Sequence, residues 1–288
     1  MIEQSVPAHA GPLLTSVEHA AMLRARIGRS SFVHCSLDLG RSLTRVDLAD
    51  TAWNWQGRSY PYLVHCKDRT IYYWSGQGFE VAARYNGALI KLVPTAWGPP
   101  TFEIDGIKML PSAHVSPYAD AAIKVGLVQP RGKRILDTCG GLGYFAAWCL
   151  HGDATQIQSF EKSAEVLWLR SLNPWSPGNG ALNDPLTLTH GDISERIVAI
   201  PDCSYDAILH DPPRISIAGE LYSKVFYTEL ARVMKSSGKL FHYTGAPHRL
   251  SRGRDLAREV IARLSQVGFR AAREGDGVLA VKVRVGRI

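Results

Sequence analysis

The chain of 288 residues is 45% hydrophobic and 20% charged, a composition that allows a substantial core and excludes a disordered protein. Its length exceeds what a single core usually supports, so we expect two domains. No apolar run approaches the roughly 20 residues that span a bilayer, and residues 1–10 lack the pattern of a secretory signal. We therefore expect a cytoplasmic protein with no membrane partner.

Basic charge is concentrated near the end of the chain. Residues 240–288 hold 10 Lys or Arg against 4 Asp or Glu, which supplies +6 of the net charge of +7. Such a segment can attract nucleic acid. Arg254, Arg258 and Arg263, however, recur at helical spacing and are typical of the solvent-facing side of an amphipathic helix. Nucleic acid is therefore the less favoured partner, and a homodimer is left open.

The cysteines form no CxxC pair and are odd in number. This pattern disfavours both a disulfide framework and a structural zinc site. We expect free thiols and no bound metal for Cys35, Cys66, Cys139, Cys149 and Cys203.

The first part of the chain reads as a short helix followed by strands. Residues 17–27 (VEHAAMLRARI) predict the helix. From Phe32 to about Ile107, β-branched and aromatic residues alternate, with turn signals at 38–40, 56–57 and 76–78, which is typical of antiparallel strands. Core and cross-strand packing is favoured over base stacking for the aromatic residues of this region, Trp53, Trp55, Tyr72, Tyr73 and Trp74. We expect a β-rich domain over residues 1–110 and a Pro-rich connection over 111–132.

From residue 133 to 288 short apolar strands alternate with helices, which is the pattern of a parallel α/β sheet. The last two strands are joined by the turn Gly275-Asp276-Gly277 and form an antiparallel hairpin. The strand candidates are RILDT, QIQSFEK, LTLTH, YDAILHD, GKLFHYT and the pair within FRAAREGDGVLAVKVRV.

Four features at successive strand ends predict a nucleoside site. The first strand ends at Asp137 and runs into the turn Thr138-Cys139-Gly140-Gly141-Leu142-Gly143, where glycines let the backbone approach a ligand at a helix N-terminus. Glu161 ends the second strand and can accept hydrogen bonds from ribose hydroxyls. Asp192 follows the third strand and can meet an adenine amino group, and Asp211 follows the fourth.

The cofactor predicted from these features is S-adenosylmethionine (SAM). The glycine turn is not the G-x-G-x-x-G that a pyrophosphate normally requires, which disfavours NAD. The Asp-Pro-Pro motif after the fourth strand belongs with methyl transfer. A sheet that ends in a hairpin is the class I methyltransferase variant of the Rossmann-like fold, here seven-stranded and preceded by the smaller β-rich domain.

Several motifs together resemble a family of predicted archaeal and bacterial SAM-dependent methyltransferases, which carry a small β domain before the Rossmann-like domain, as spermidine synthases do. The motifs are LDTCGGLGY, FEK, LNPWS, GD, HDPPR, AGELYS, FHYTG and RGRDL. The resemblance covers residues 100–269 well. It implies cofactor binding through Asp137, Gly141, Gly143, Glu161 and Asp192, with Asp211 at the methyl-transfer site. Further cofactor-binding candidates are their neighbours Cys139, Lys162 and Ile193.

One segment departs from the family. After PTFEIDGIKM a His-Arg-Thr-like continuation is expected, and this chain has Leu110-Pro111-Ser112. If that segment contacts substrate, this member acts on a different one.

The candidate acceptor site is built around Asp211. Methyl transfer from a sulfonium mainly requires a well-oriented nucleophile. The Asp211 carboxylate and the Pro212 region offer acceptors to an amine, and proline restricts the backbone there. His242, at the end of the fifth strand, is the candidate proton acceptor, although a buried hydrogen-bonded histidine is the alternative. Further substrate-binding candidates are Asp105, Arg214, Glu220 and Tyr222.

Three functions remain open. The favoured one is N-methylation of an amino or guanidino group on a small molecule, arginine being an example. The second is methylation of an RNA base nitrogen. The cysteine-dependent RNA 5-methylpyrimidine mechanism is disfavoured because no cysteine follows Cys203. The third is aminopropyl transfer, suggested by the leading β domain.

Overall fold

The computed structural model of the chain describes residues 11–178, 184–245 and 255–283. The chain divides into two compact units, Met1–Asp120 with Trp168–Gly178, and Ala121–Leu167 with Asn179–Ile288. Residues 168–178 thus belong to the first unit, although the sequence interpretation placed them in the second domain. Residues 1–10, Arg254 and most of the RGRDL motif lie outside the described residues.

The first unit begins with the predicted helix, which is confirmed. Helix α1 spans Ser16–Ile27 and starts where the Thr15 side chain accepts a hydrogen bond from Val17 N at 3.3 Å. The strands of this unit are β1 (Leu13–Leu14), β2 (Phe32–Cys35), β3 (Thr44–Leu48), β4 (Ala52–Trp55), β5 (Arg58–Pro61), β6 (Tyr72–Trp74), β7 (Phe79–Val81), β8 (Ala83–Tyr85), β9 (Leu89–Val93), β10 (Thr101–Ile104) and β11 (Ile107–Lys108).

These strands form three antiparallel sheets with the orders β1-β6-β7, β2-β3-β4-β5 and β11-β10-β9-β8. The turn predicted at 56–57 joins β4 to β5, and both of its residues have positive φ, +49° at Gln56 and +73° at Gly57. A two-residue hairpin turn whose twist matches that of its strands requires positive φ at both residues. Strands β10 and β11 lie within residues 1–110, where the β-rich domain was expected.

Four of the five aromatic residues predicted to pack in this unit do so in or against its core cluster, and Tyr73 lies outside that cluster. Trp53 is 0% exposed, and its ring stacks on Tyr60 with centroids 4.6 Å apart. Tyr72 is also buried in this cluster, and the partly buried Trp55 and Trp74 pack against the cluster. Interlocked rings of this kind offer little free face to a nucleic-acid base.

The LNPWS motif is built into the first unit. Trp175 Nε1 donates to Leu39 O at 2.9 Å, and Gly98 lies against the Trp175 ring with a φ of +94°. The guanidinium of Arg84 lies 4.0 Å from the ring centroid of Trp168. These contacts explain why the segment groups with the first unit.

The second unit alternates strands and helices as predicted. Its helices are α2 (Pro117–Val128), which starts in the first unit, α3 (Tyr144–His151), α4 (Ala164–Leu172), which ends in the first unit, α5 (Ile193–Arg196), α6 (Lys224–Val233) and α7 (Leu256–Gln266). Its strands are β12 (Arg134–Asp137), β13 (Gln156–Glu161), β14 (Leu186–His190), β15 (Tyr205–His210), β16 (Met234–Tyr243), β17 (Phe269–Glu274) and β18 (Gly277–Lys282). Two short 3₁₀ helices span Ile197–Ala199 and Gly219–Tyr222.

Two elements differ from the sequence interpretation. Helix α2 fills most of the stretch that was predicted to be a connection. The Ser116-Pro117 pair marks its start in the sequence. Ser116 Oγ accepts a hydrogen bond from Tyr118 N, and proline suits the first position of a helix. Strand β16 starts at Met234, four residues earlier than the apolar run indicated, and contains Ser237 with a φ of +64°.

The seven strands form one sheet in the order β14-β13-β12-β15-β16-β18-β17. Strand β18 is antiparallel to both neighbours, and the other pairings are parallel. This confirms the predicted Rossmann-like fold with its terminal hairpin. The carboxyl ends of β12 to β16 lie at the same edge, where open α/β sheets bind their ligands.

Among the described residues, no helix is both long enough and apolar enough to cross a bilayer.

Candidate active site at the carboxyl edge of the sheet

The glycine turn after β12 has the geometry predicted for a close backbone approach. Gly141 and Gly143 have φ values of +50° and +82°, which glycine adopts without strain. Gly140 N donates to Phe160 O at 2.7 Å and so ties the turn to β13. Helix α3 begins directly after Gly143, which offers no side-chain cap, so its first backbone N–H groups suit an external acceptor.

Glu161 holds this turn from the end of β13. Its Oε2 accepts from Gly141 N and its Oε1 accepts from Ser163 N, both at 2.9 Å. A carboxylate oxygen has more than one lone pair, so this half-buried group can still accept hydrogen bonds from the hydroxyls of a ribose.

Asp192, after β14, is also engaged with the protein. Its Oδ1 accepts from Ser194 N at 2.9 Å, and its Oδ2 lies 2.6 Å from Lys162 Nζ. Burial by itself raises the pKa of Asp192, but hydrogen bonds from Lys162 and Ser194 outweigh burial and hold the pKa below its ordinary value. The carboxylate is therefore ionised, with the exposed Lys162 at its rim.

Of three other predicted cofactor residues, Asp137 and Ile193 are buried and Cys139 is half-buried. Asp137 is 0% exposed, and its Oδ2 accepts from Ser159 Oγ at 2.8 Å. Ile193 is 3% exposed and belongs to the core of this unit. Burial and the nearby Glu161 charge raise the pKa of the Cys139 thiol well above its ordinary value. Cys139 is therefore protonated and is not an activated nucleophile.

This edge fits a nucleoside with a polar tail. It combines positive-φ glycines, a helix N-terminus whose cap residue is Gly143, and carboxylates at the ends of β13 and β14. Those are the groups that would receive the amino-acid part, the ribose and the adenine of SAM.

Asp211 directly follows β15 and is half-buried, while the adjacent Pro212 is buried. The Tyr222 hydroxyl donates to Pro213 O at 3.0 Å. Burial, and then the charge of Asp211, raise the pKa of Tyr222 far above its ordinary value, so the phenol stays neutral beside the carboxylate. Asp211 and Tyr222 thus belong to one site.

The side chains of Arg214 and Glu220 lie at the surface of the same loop. Arg214 is exposed, and its carbonyl accepts from Ile217 N at 2.7 Å. Glu220 is exposed within the 3₁₀ helix Gly219–Tyr222. Their roles in substrate binding stay predictions.

His242 is buried with both ring nitrogens in hydrogen bonds. Nδ1 lies 2.8 Å from Tyr243 O, and Nε2 lies 2.7 Å from the Tyr227 hydroxyl. Burial, with the neighbouring His210 as a smaller cause, lowers the pKa of His242 well below its ordinary value. Its proton-accepting role stays a prediction, and this geometry favours the alternative of a buried hydrogen-bonded histidine.

Asp105 lies in the first unit, in the turn between β10 and β11. It has a φ of +48°, and its Oδ1 accepts from Leu89 N at 2.8 Å. These features explain an aspartate at this turn by local structure alone. Its role at the substrate edge stays a prediction.

Sequence reasoning missed three polar residues of this region: Thr138, His210 and Tyr227. Thr138 Oγ1 lies 2.7 Å from His210 Nδ1, and His210 Nε2 lies 3.1 Å from Leu221 O. His210 and His242 pack edge to face with centroids 4.4 Å apart. No spacing rule in the sequence reveals this network.

The part of the chain that the structure describes contains no group of three or more His, Cys, Asp or Glu side chains arranged to hold a metal ion.

Comparison with known proteins identifies the family. A family model described as S-adenosyl-L-methionine-dependent methyltransferase matches residues 178–253. The protein MJ1233 of Methanocaldococcus jannaschii, described as uncharacterized, is 42% identical over 213 residues, which cover 73% of this chain and 72% of that protein. Polyamine aminopropyltransferase 2 of Streptomyces coelicolor is 27% identical over 180 residues, which cover 59% of this chain and 32% of that protein.

A solved structure supports the same fold. A spermidine synthase in complex with the transition-state analogue AdoDATO superposes with a TM-score of 0.57 over 69% of this chain and 72% of that chain, at 16% identity. At this identity the likeness concerns the fold. The chain therefore belongs to the family of the M. jannaschii protein MJ1233, and it is an S-adenosyl-L-methionine-dependent methyltransferase.

Proposed function

We propose that this methyltransferase acts on an amino or guanidino nitrogen of a small molecule such as an amino acid, arginine being an example. The observation that carries the proposal is the half-buried Asp211 at the end of β15, next to the neutral phenol of Tyr222. A carboxylate in a partly desolvated site pairs best with a cationic N–H donor through charge-assisted hydrogen bonds.

The residues of the site suit positioning. SAM supplies an electrophilic methyl group, and the protein must hold the nitrogen in line with it. The Asp211 carboxylate would accept hydrogen bonds from the substrate N–H groups and fix the direction of the lone pair. Pro212 has no N–H to compete for that carboxylate, and Pro213 O is already held by Tyr222. Because His242 is enclosed, an ammonium substrate would release its proton to solvent before transfer, since only the free amine carries a lone pair. A guanidinium would release one proton to solvent once it has been methylated.

Two exposed side chains of the loop would recognise the rest of the substrate. Glu220 offers a second carboxylate, which suits a further cationic group or the second edge of a guanidinium. Arg214 offers a planar guanidinium, which suits a carboxylate such as that of an amino acid. A zwitterionic amine fits this pair of charges better than a neutral molecule does.

Aminopropyl transfer is the second candidate. It is favoured by the 27% identity to the Streptomyces aminopropyltransferase and by the fold shared with a spermidine synthase. That reaction also attacks a carbon next to a sulfonium with an amine, so Asp211 would serve the same purpose. The donor would then be decarboxylated SAM.

The test is a panel of acceptors with isotope-labelled donors. Purified protein is incubated with SAM or decarboxylated SAM and with amino acids, polyamines or bulk tRNA, and products are read by mass spectrometry. The proposal expects one methyl group on an amino acid or a related small amine. An aminopropyl group on a polyamine would establish the second candidate, and label in tRNA would overturn both.

A further inference from the structure

A buried polar cluster joins the ends of β15 and β16, and the proposed reaction does not use it. His210 and His242 are register partners on these neighbouring strands, and both are 0% exposed. A buried imidazole is stable in a protein core when its ring nitrogens are hydrogen-bonded. The hydrogen-bond partners of these two rings therefore indicate what the rings hold in place.

The hydrogen bonds of His210 define its tautomer. Leu221 O can only accept, so Nε2 carries the proton and donates to it at 3.1 Å. Nδ1 is then the acceptor and receives the Thr138 hydroxyl at 2.7 Å. Burial lowers the pKa of His210 to about 4, so the neutral ring persists at physiological pH.

His242 takes the opposite tautomer. Tyr243 O can only accept, so Nδ1 carries the proton and donates to it at 2.8 Å. Nε2 receives the Tyr227 hydroxyl at 2.7 Å. The two rings pack with centroids 4.4 Å apart, and both remain uncharged.

The partners of His210 belong to two loops of the site. Thr138 opens the glycine turn after β12, and Leu221 closes the loop that begins at Asp211. The Tyr222 hydroxyl adds a second tie to this loop through Pro213 O. Between the ties, residues 214–217 are exposed, so the anchoring lies at the base of the loop.

We infer that His210 is a positioning residue for methyl transfer: its Nε2–H donates to Leu221 O and holds the loop 211–221 against the cofactor turn at Thr138. This inference rests on the proposed placement of the acceptor at Asp211. Without this hydrogen bond the loop would be held less firmly, and a displacement of about 1 Å at the reacting atoms can cost roughly 100-fold in rate.

Two amide variants separate the hydrogen bonds of this ring. The Gln amide nitrogen can reach the place of Nε2, so His210→Gln keeps the donor to Leu221 O. The Asn oxygen can reach the place of Nδ1, so His210→Asn keeps the acceptor for Thr138 and loses the tie to the loop. Tyr227→Phe is the matched control, since it removes an equally buried hydrogen bond without touching the loop.

Hydrogen exchange of the segment 211–222 is measured in full-length protein with S-adenosylhomocysteine as the probe ligand. We expect exchange at least about tenfold faster in His210→Asn, and wild-type exchange in His210→Gln and Tyr227→Phe. Turnover on an acceptor from the panel should fall at least about tenfold in His210→Asn, with recovery in His210→Gln and an unchanged KM for SAM. Equal exchange in His210→Asn and wild type would overturn the inference.

A second measurement needs no variant. Long-range ¹H–¹⁵N spectra of histidine-labelled wild-type protein should show one buried ring protonated at Nε2 and another at Nδ1, with neither titrating near pH 6.5. A His210 ring that is protonated at Nδ1, or that titrates normally, would overturn the inference even if His210→Asn did not fold. Neither the hydrogen exchange nor the histidine spectra require a methyl acceptor, so failure of the proposed function would be seen separately, as full activity of Asp211→Asn.

Discussion

The cofactor half and the acceptor half of the sheet edge hold their polar groups in different ways. At the ends of β13 and β14, Glu161 and Asp192 are partly exposed carboxylates held by backbone N–H groups and by Lys162. At the ends of β15 and β16, His210 and His242 are fully buried and neutral. Under the proposed function, we interpret this difference as a division of work, in which the first half would bind the cofactor and the second half would set the geometry around Asp211.

The largest expected effect comes from Asp211→Asn. The change keeps the size of the side chain, removes its charge and turns one acceptor into a donor. We expect turnover to fall about 100-fold or more, because a cationic nitrogen loses the partner that aligns it. Steady-state rates with an acceptor from the panel check this. Near-normal turnover would place the acceptor elsewhere.

The second effect concerns Glu161→Ala. The change removes the acceptor for Gly141 N and the expected partner of the ribose hydroxyls. We expect a loss of about 1–3 kcal/mol in SAM affinity, roughly 5- to 150-fold. Calorimetric titration measures it, with the exposed Asp153→Ala as a control that should bind normally.

The third effect is the pH dependence of the free energy of unfolding. Because burial lowers the pKa of His210 from about 6.5 to about 4, the unfolded chain takes up a proton in this range while the folded protein does not. The stabilisation is present above pH 6.5 and is lost as pH falls toward 4. Between pH 7 and pH 5 the free energy of unfolding should drop by about 2 kcal/mol from His210 alone.

Denaturant unfolding at the two pH values tests this prediction. The lowered pKa of His242 adds a loss in the same direction. His210→Gln cannot titrate and should show a smaller pH dependence than the parent protein. An identical dependence in parent and variant would show that His210 is not held neutral by the fold.

The smallest effect is expected from Lys162→Ala. The Lys162 side chain is 71% exposed, although it lies 2.6 Å from Asp192. Exposed ion pairs are worth less than about 1 kcal/mol, so SAM affinity should change less than about fivefold. A larger loss by calorimetry would show that Lys162 contacts the cofactor itself.

Much of the cofactor half could be predicted from the sequence because its information is local. A strand, a glycine turn and an acid at the next strand end are all visible as short patterns, and their hydrogen bonds to backbone N–H groups follow from that order. The terminal hairpin was equally visible in its Gly-Asp-Gly turn. The alternation of strands and helices made the seven-stranded Rossmann-like sheet predictable in the same way.

The acceptor half could not be predicted in the same way, because its hydrogen bonds form between buried residues that are distant in the sequence. His242 was interpreted as a proton acceptor from its place at a strand end, but Tyr227, from α6, supplies its hydrogen bond across the fold. His210 depends on Thr138 and Leu221, which are 72 and 11 residues away in the chain. Helix α2 was missed because proline-rich flanks concealed its start.

We expect cofactor binding and acceptor positioning to be separable along this edge. Calorimetric titration of SAM into Asp211→Asn and Glu161→Ala protein side by side tests this separation. We expect Asp211→Asn to bind SAM within about threefold of the parent and Glu161→Ala to bind it at least about fivefold more weakly. A loss of SAM affinity in Asp211→Asn as large as in Glu161→Ala would contradict this separation.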